Sequence, residues 1–154
     1  MLFQATVTGC AEVVERLLAR NDIDVNKART GNGCTPLFMA SQKGHTAVVE
    51  RLLARDDIDV NKARTEDGST PLFTASQNGH TEVVERLLAR DDIDANKART
   101  SDGSTPLCMA SQKGHTEVVE RLLARDDIDV NKAETDDGST PLFTASQSGH
   151  PEVA

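Results

Sequence analysis

The sequence predicts an all-α solenoid of stacked helix-turn-helix units, each carrying a projecting β-hairpin loop. The phrase "GSTPLFTASQNGH" at 68–80 recurs at 33, 103 and 138 with few letters changed. Pro36, Pro71, Pro106 and Pro141 are spaced by 35 residues, as are Gly9, Gly44, Gly79, Gly114 and Gly149. Each unit offers two helical patterns and only a hairpin-like loop. Two helices this short cannot bury an apolar face on each other alone, but neighbours stacked side by side share a continuous core.

The chain divides into three whole units (35–69, 70–104, 105–139), a first unit 1–34 without its opening residue, and a last unit 140–154 that stops early. It is read as a single array over 1–154, with no segment left for a linker or second domain. Within a unit, Thr70 is a good N-cap, and Pro71 at the first helical position gives up an N–H that has no partner there anyway. "PLFTASQN" is the first helix, about two turns long, and Gly79 supplies the left-handed backbone that ends it. The second helix is "TEVVERLLAR", with Val83, Val84, Leu87 and Leu88 on one face. Glu82, Glu85, Arg86 and Arg90 are expected to point to water, with Glu82 and Arg86 paired at i,i+4. "DDIDANKARTSDGS" then returns the chain through a loop whose Asp-Gly marks a tight turn.

Composition narrows the function. Lys and Arg total 17 against 25 Asp and Glu, a net charge of −8, and Trp and Tyr are absent. A polyanion would be repelled, so nucleic acid is not an expected partner. No apolar run approaches the ~20 residues that span a bilayer, so no membrane role is expected. "MLFQATVTGC" has no basic residue before its apolar stretch and aligns with the repeat from its first letter, so it is not read as a signal peptide. Cys10, Cys34 and Cys108 are odd in number and far apart, which suits reduced thiols and an intracellular, cytoplasmic protein.

These motifs resemble the ankyrin repeat: "TPL" opening the first helix, "GH" between helices, "VVERLL" in the second and "DVN" before the hairpin, in order along nearly the whole chain. The resemblance implies an L-shaped stack of helix pairs with hairpins at right angles, and a role in binding other proteins without catalysis. The 35-residue unit departs from the family's usual 33, with one residue added in "ARDDIDVN" and one in "KARTEDGS". The usual "TPLH" reads TPLF at Phe38, Phe73 and Phe143 and TPLC at Cys108. Apolar packing against the next unit is expected to replace the hydrogen bonds of the family's histidine.

Candidate chemical sites are weak. His45, His80, His115 and His150 each stand alone, without a second ligand at metal spacing, so capping or inter-repeat hydrogen bonding is the expected role. "DDID" at 56–59, 91–94 and 126–129 lacks the sixth-position Gly and the distal Glu of a helix-loop-helix calcium site, and reads as a solvated loop. Serines recur in every "ASQ", which suits a small packing residue better than a nucleophile. No cofactor, metal or catalytic residue is assigned, and the chain is not read as an enzyme.

What remains is where the units differ. Met39 and Lys43 become Thr74 and Asn78, return as Met109 and Lys113, and become Thr144 and Ser148. This alternation suggests amplification by a 70-residue block, and drift and selection explain it equally well. Hairpin letters vary too: Gly31-Asn32, Glu66-Asp67, Ser101-Asp102 and Asp136-Asp137. The resemblance implies that matched positions form the concave ligand face. These are Asn32, Met39, Lys43, Glu66, Asp67, Ser69, Thr74, Gln77, Asn78, Ser101, Asp102, Ser104, Met109, Gln112, Lys113, Asp136 and Asp137. Formal charge by unit runs 0, −1, −2, −4 and −1, so a basic partner is expected to be steered to the C-terminal half.

Two readings follow. One is a protein-interaction module, put ahead by the family resemblance. The other is a spacer or spring cut from a longer array, or a consensus-like designed scaffold, favoured by the 30 of 35 residues shared between units 35–69 and 70–104. Weak end-to-end self-association is also expected, with Leu2, Phe3, Val13 and Leu17 exposed at one end and Leu142, Phe143, Ala145 and Val153 at the other.

Overall fold

The computed structural model describes residues 1–152. Among these, nine short helices and no strand are formed. First helices are α1 (Leu2–Thr8), α3 (Pro36–Lys43), α5 (Pro71–Gln77), α7 (Pro106–Lys113) and α9 (Pro141–Gln147); second helices are α2 (Ala11–Leu18), α4 (Thr46–Leu53), α6 (Thr81–Leu88) and α8 (Thr116–Leu123). First helices stack on first helices and second helices on second helices along the chain, and each pair α1/α2 to α7/α8 packs within its own unit. The core therefore runs the length of the stack. Leu37, Leu72, Leu107, Val48, Val83 and Val118 repeat in it at one place per unit, each at most 2% exposed. Burying each such side chain is worth about 1.5–3 kcal/mol.

The expected starts hold, and the helices stop one or two residues earlier than expected, α5 at Gln77 and α6 at Leu88. The Thr35, Thr70, Thr105 and Thr140 hydroxyls accept from the backbone N–H three residues on, a cap worth about 1 kcal/mol. Gly44 and Gly114 end α3 and α7 at φ 71° and 69°. Hairpins form as expected: the Arg64 N–H donates to the Ser69 carbonyl at 2.8 Å and the Gly68 N–H to the Arg64 carbonyl at 2.9 Å.

The second-helix surface differs from expectation. Arg86 does not pair with Glu82 in its own helix; its Nε donates to Glu50 of the preceding unit at 2.7 Å. Arg51–Glu15 and Arg121–Glu85 repeat the contact. Stacking brings a carboxylate of the neighbouring second helix within reach, and that partner displaces the i,i+4 one. Arg90 also lies outside the helix and does not simply point to water. Its guanidinium donates to the Leu53 carbonyl at 3.3 Å while being held by Asp92, as Arg55 does to Leu18 with Asp57 and Arg125 to Leu88 with Asp127. The lengthened "ARDD" loop thus places an arginine on an unpaired carbonyl at the end of the preceding unit's second helix.

The loops are tied across units as well. The Asn61 side-chain amide donates to the Asp92 carbonyl at 2.7 Å and its oxygen accepts the Asp94 N–H at 2.9 Å. Asn26 and Asn96 do the same one unit before and after. The second aspartate of each "DDID" is therefore an ion-pair residue and the third a turn residue. No group of three or more His, Cys, Asp or Glu side chains among the described residues is placed to hold a metal ion.

At the ends, Val13, Leu142 and Phe143 are exposed as expected, and Phe3 and Leu17 are half-buried. Leu2 and Ala145 are buried, contrary to expectation, because each packs inward on its own unit and its one neighbour. Val153 lies outside the described residues.

Candidate protein-binding face

The hairpins form a third row beside the two rows of helices. The Thr100 N–H and hydroxyl both donate to the Asp67 carbonyl, at 2.9 and 2.8 Å, and the Thr135 N–H donates to Asp102 at 2.9 Å. Hairpin tips are thus spaced by the stack rather than free to swing.

The hairpins of units 35–69 and 70–104 also carry a clamp. The Arg64 guanidinium donates twice to Asp67, at 3.0 and 2.6 Å, and Asp67 further accepts the Ser69 N–H at 3.0 Å and hydroxyl at 2.7 Å. Burial pushes the Asp67 carboxyl up, but Arg64 and both Ser69 donors outweigh it and leave the group well below the usual carboxylate range. Arg99 binds Asp102 in the same two-pronged way, and that hydrogen bonding, opposed by burial and aided by the Ser104 N–H, lowers the Asp102 pKa. The same arginines lie over aromatic rings of their own units. Arg64 sits 5.5 Å from the Phe38 centroid, Arg99 4.9 Å from Phe73, and Arg29 5.7 Å from Phe3. The Phe that replaces the family's histidine is therefore roofed by its own hairpin, not only packed on the next unit.

Unit 105–139 breaks the clamp at both ends. Cys108 stands where the others have Phe, and Glu134 where they have Arg. Glu134 instead accepts the Ser104 hydroxyl at 2.8 Å, and the Cys108 thiol, raised by burial, contacts the Lys132 carbonyl at 3.6 Å. Asp137 keeps its turn bond to the Ser139 N–H at 2.9 Å but has no arginine.

These contacts sort the sequence-assigned residues. Ser69, Thr74, Ser104 and Met109 are buried, at 3, 2, 1 and 6% exposure, and are removed from the candidate face. Asp67 and Asp102 are half-buried and saturated by their own hairpins. Asn32 is half-buried too, its side-chain oxygen accepting the Cys34 N–H. Met39 and Gln77 are half-buried, and the Gln77 carbonyl accepts from His115. Lys43, Glu66, Asn78, Ser101, Gln112, Lys113, Asp136 and Asp137 are exposed. Asn78 is partly committed, donating to the Thr74 carbonyl at 2.8 Å. Sequence reasoning missed Arg64, Arg99 and Glu134, although Arg and Asp three apart at 64–67 and 99–102 is a local signal for the clamp.

The histidines bond between units and do not cap: Nε2–H of His45, His80 and His115 donates to Val7, Gln42 and Gln77 carbonyls at 3.2, 3.1 and 3.0 Å. The Ser41 and Ser76 hydroxyls are buried without a partner, which matches a packing role and leaves no exposed nucleophile there.

The repeat geometry agrees with a family match. The ankyrin-repeat model, in three copies, fits residues 2–99 and again 92–154. The chain belongs to the ankyrin-repeat family. Ankyrin repeats are generally protein-interaction modules and typically non-catalytic. A comparison with curated proteins finds no match. Among the described residues, no helix is long and apolar enough to cross a membrane.

Proposed function

We propose that this ankyrin-repeat chain is a non-catalytic binder that receives a basic protein segment on the face formed by its hairpin tips and the exposed ends of its first helices. The observation that carries this is the contrast among hairpin carboxylates. Asp67 and Asp102 are saturated within their turns, whereas Glu66 is 63% exposed with only a 3.6 Å contact to Arg64, and Asp136 and Asp137 are exposed without an arginine clamp. The rising negative charge toward unit 105–139 steers cations to the same end. Free thiols at Cys10, Cys34 and Cys108 suit a reducing, intracellular setting, and the negative charge disfavours nucleic acid.

A spacer role is the second reading. It is favoured by the burial of Thr74 and Met109, which occupy one alternating repeat position, since that variation then tunes packing and not recognition. Quantitative affinity capture separates the two. Proteins retained by the intact chain and lost with Glu66→Gln/Asp136→Asn/Asp137→Asn support binding through this face. Retention of the same proteins by that variant would place binding on another surface, and retention of none by either supports the spacer.

A further inference from the structure

The exposed tip residue reads Gly31, Glu66, Ser101 and Asp136 along the stack, so a carboxylate stands on every second hairpin. The turn aspartate of the intervening hairpin, Asp102, does not fill the gap, because Arg99 and the Ser104 N–H occupy it. The tips from Glu66 to Asp136 are held in register, since Thr100 and Thr135 bond the hairpins of units 70–104 and 105–139 each to the preceding one. Lys43 and Lys113 lie on the same two units but at the far end of the first helices. That is about 10 Å from the hairpin-roofed N-terminal turn at 1.5 Å per residue. The acidic tips are therefore separated from the cations, and the unit between presents Asn78 and Ser101, both neutral.

From this spacing, and resting on the reading that a basic segment binds this face, we infer that the partner lies along the stack and carries two cationic groups about 16–20 Å apart, for which a helical peptide serves as a rigid ruler. Its cations would be two units apart, one meeting Glu66 and the other Asp136 with Asp137. Packed helices are about 8–10 Å apart, so two units span about 16–20 Å. On a helix rising 1.5 Å per residue that is about 11–14 residues, three or four turns, which returns both cations to one side. An interval of about 7 residues spans only one unit and would place its second cation over neutral Ser101.

The test uses the full chain and alanine-rich helical peptides carrying two Arg–Lys pairs separated by about 7, 11 or 14 residues, titrated by fluorescence anisotropy at low salt. Wild type is expected to prefer an 11- or 14-residue interval over 7 by about three- to fivefold, the size of one exposed ion pair. Glu66→Ser/Ser101→Glu keeps the net charge but moves the carboxylates onto adjacent hairpins, and its preference should invert toward 7. Circular dichroism melting confirms that the exchange, made at two exposed positions, leaves the stack folded. Equal binding of all three peptides by both proteins, still lost with Glu66→Gln/Asp136→Asn/Asp137→Asn, would overturn the spacing inference while leaving the basic-segment reading standing. Binding unaffected by that neutralised variant would overturn both.

Discussion

The imidazole of His80 occupies the place where a Cβ on Gly44 would be: a methyl built there comes within 2.7 Å of Nδ1. Gly9 with His45, Gly79 with His115 and Gly114 with His150 repeat the contact. The "GH" dipeptide is thus two halves of separate contacts, each glycine receiving the histidine of the next unit. Gly44 also sits at φ 71°, where an L side chain costs about 1–2 kcal/mol by itself. Gly44→Ala should therefore lose more stability than Gly31→Ala, where φ is also positive but nothing lies within 4 Å. The difference should be about 1–3 kcal/mol, the range for overpacking. Urea denaturation of the two variants checks it.

Arg99 couples a hairpin to a first helix, holding Asp102 while lying over Phe73. Arg99→Ala should cost about 2–3 kcal/mol, since a partly buried carboxylate loses its charged partner and the ring loses its roof. Arg16→Ala, at an exposed residue of the first unit, should change stability by less than about 0.5 kcal/mol. Equal midpoints for the two variants in thermal unfolding would remove the clamp from the account.

Most of the fold was legible because its signals are local: Thr-Pro starts, left-handed glycines and an apolar face all act within one unit. The contacts that were missed act at a separation of one period. Glu82 and Arg86 form a plausible pair in a single helix, but Glu50, 36 residues before Arg86, wins once units stack. The same blindness enlarged the candidate face. The alternation at 74 and 109 and the family-matched serines at 69 and 104 point to a ligand face, yet those side chains are sealed by the neighbouring unit or by their own hairpin. The Phe–Arg clamp was visible in principle, because Phe gives way to Cys108 in the one whole unit where Arg gives way to Glu134.

Ser76 illustrates a packing position that carries a polar atom with no bond to make. Its hydroxyl is buried without a partner, as is that of Ser41. Ser76→Ala removes an unsatisfied group from an apolar setting and should leave stability unchanged or raise it by up to about 1 kcal/mol. Differential scanning calorimetry showing a clear loss would mean the hydroxyl has a partner in solution.

Acid should unfold the stack partly through the hairpin aspartates. Asp67 and Asp102 have carboxyl pKa values lowered in the fold, so they contribute stability that is fully present above the unfolded carboxylate range. It is lost as pH falls below about 4, through the depressed folded values. Asp67→Asn/Asp102→Asn should be less stable than wild type at pH 7, and the gap should narrow between about pH 4 and pH 2. Urea midpoints across that window report it, and a constant gap would contradict the assignment.

The most direct test of the binding claim compares affinity capture by the wild-type chain with two variants of equal charge change. Glu66→Gln/Asp136→Asn/Asp137→Asn neutralises the hairpin tips, and Glu82→Gln/Glu117→Gln/Glu120→Gln neutralises three exposed positions on the second helices. The account predicts that proteins held by wild type are lost with the tip variant, kept with the second-helix variant, and released by salt because the attraction is between exposed charges. Proteins kept by the tip variant and lost with the second-helix variant would contradict it and move the binding surface to the opposite row of helices.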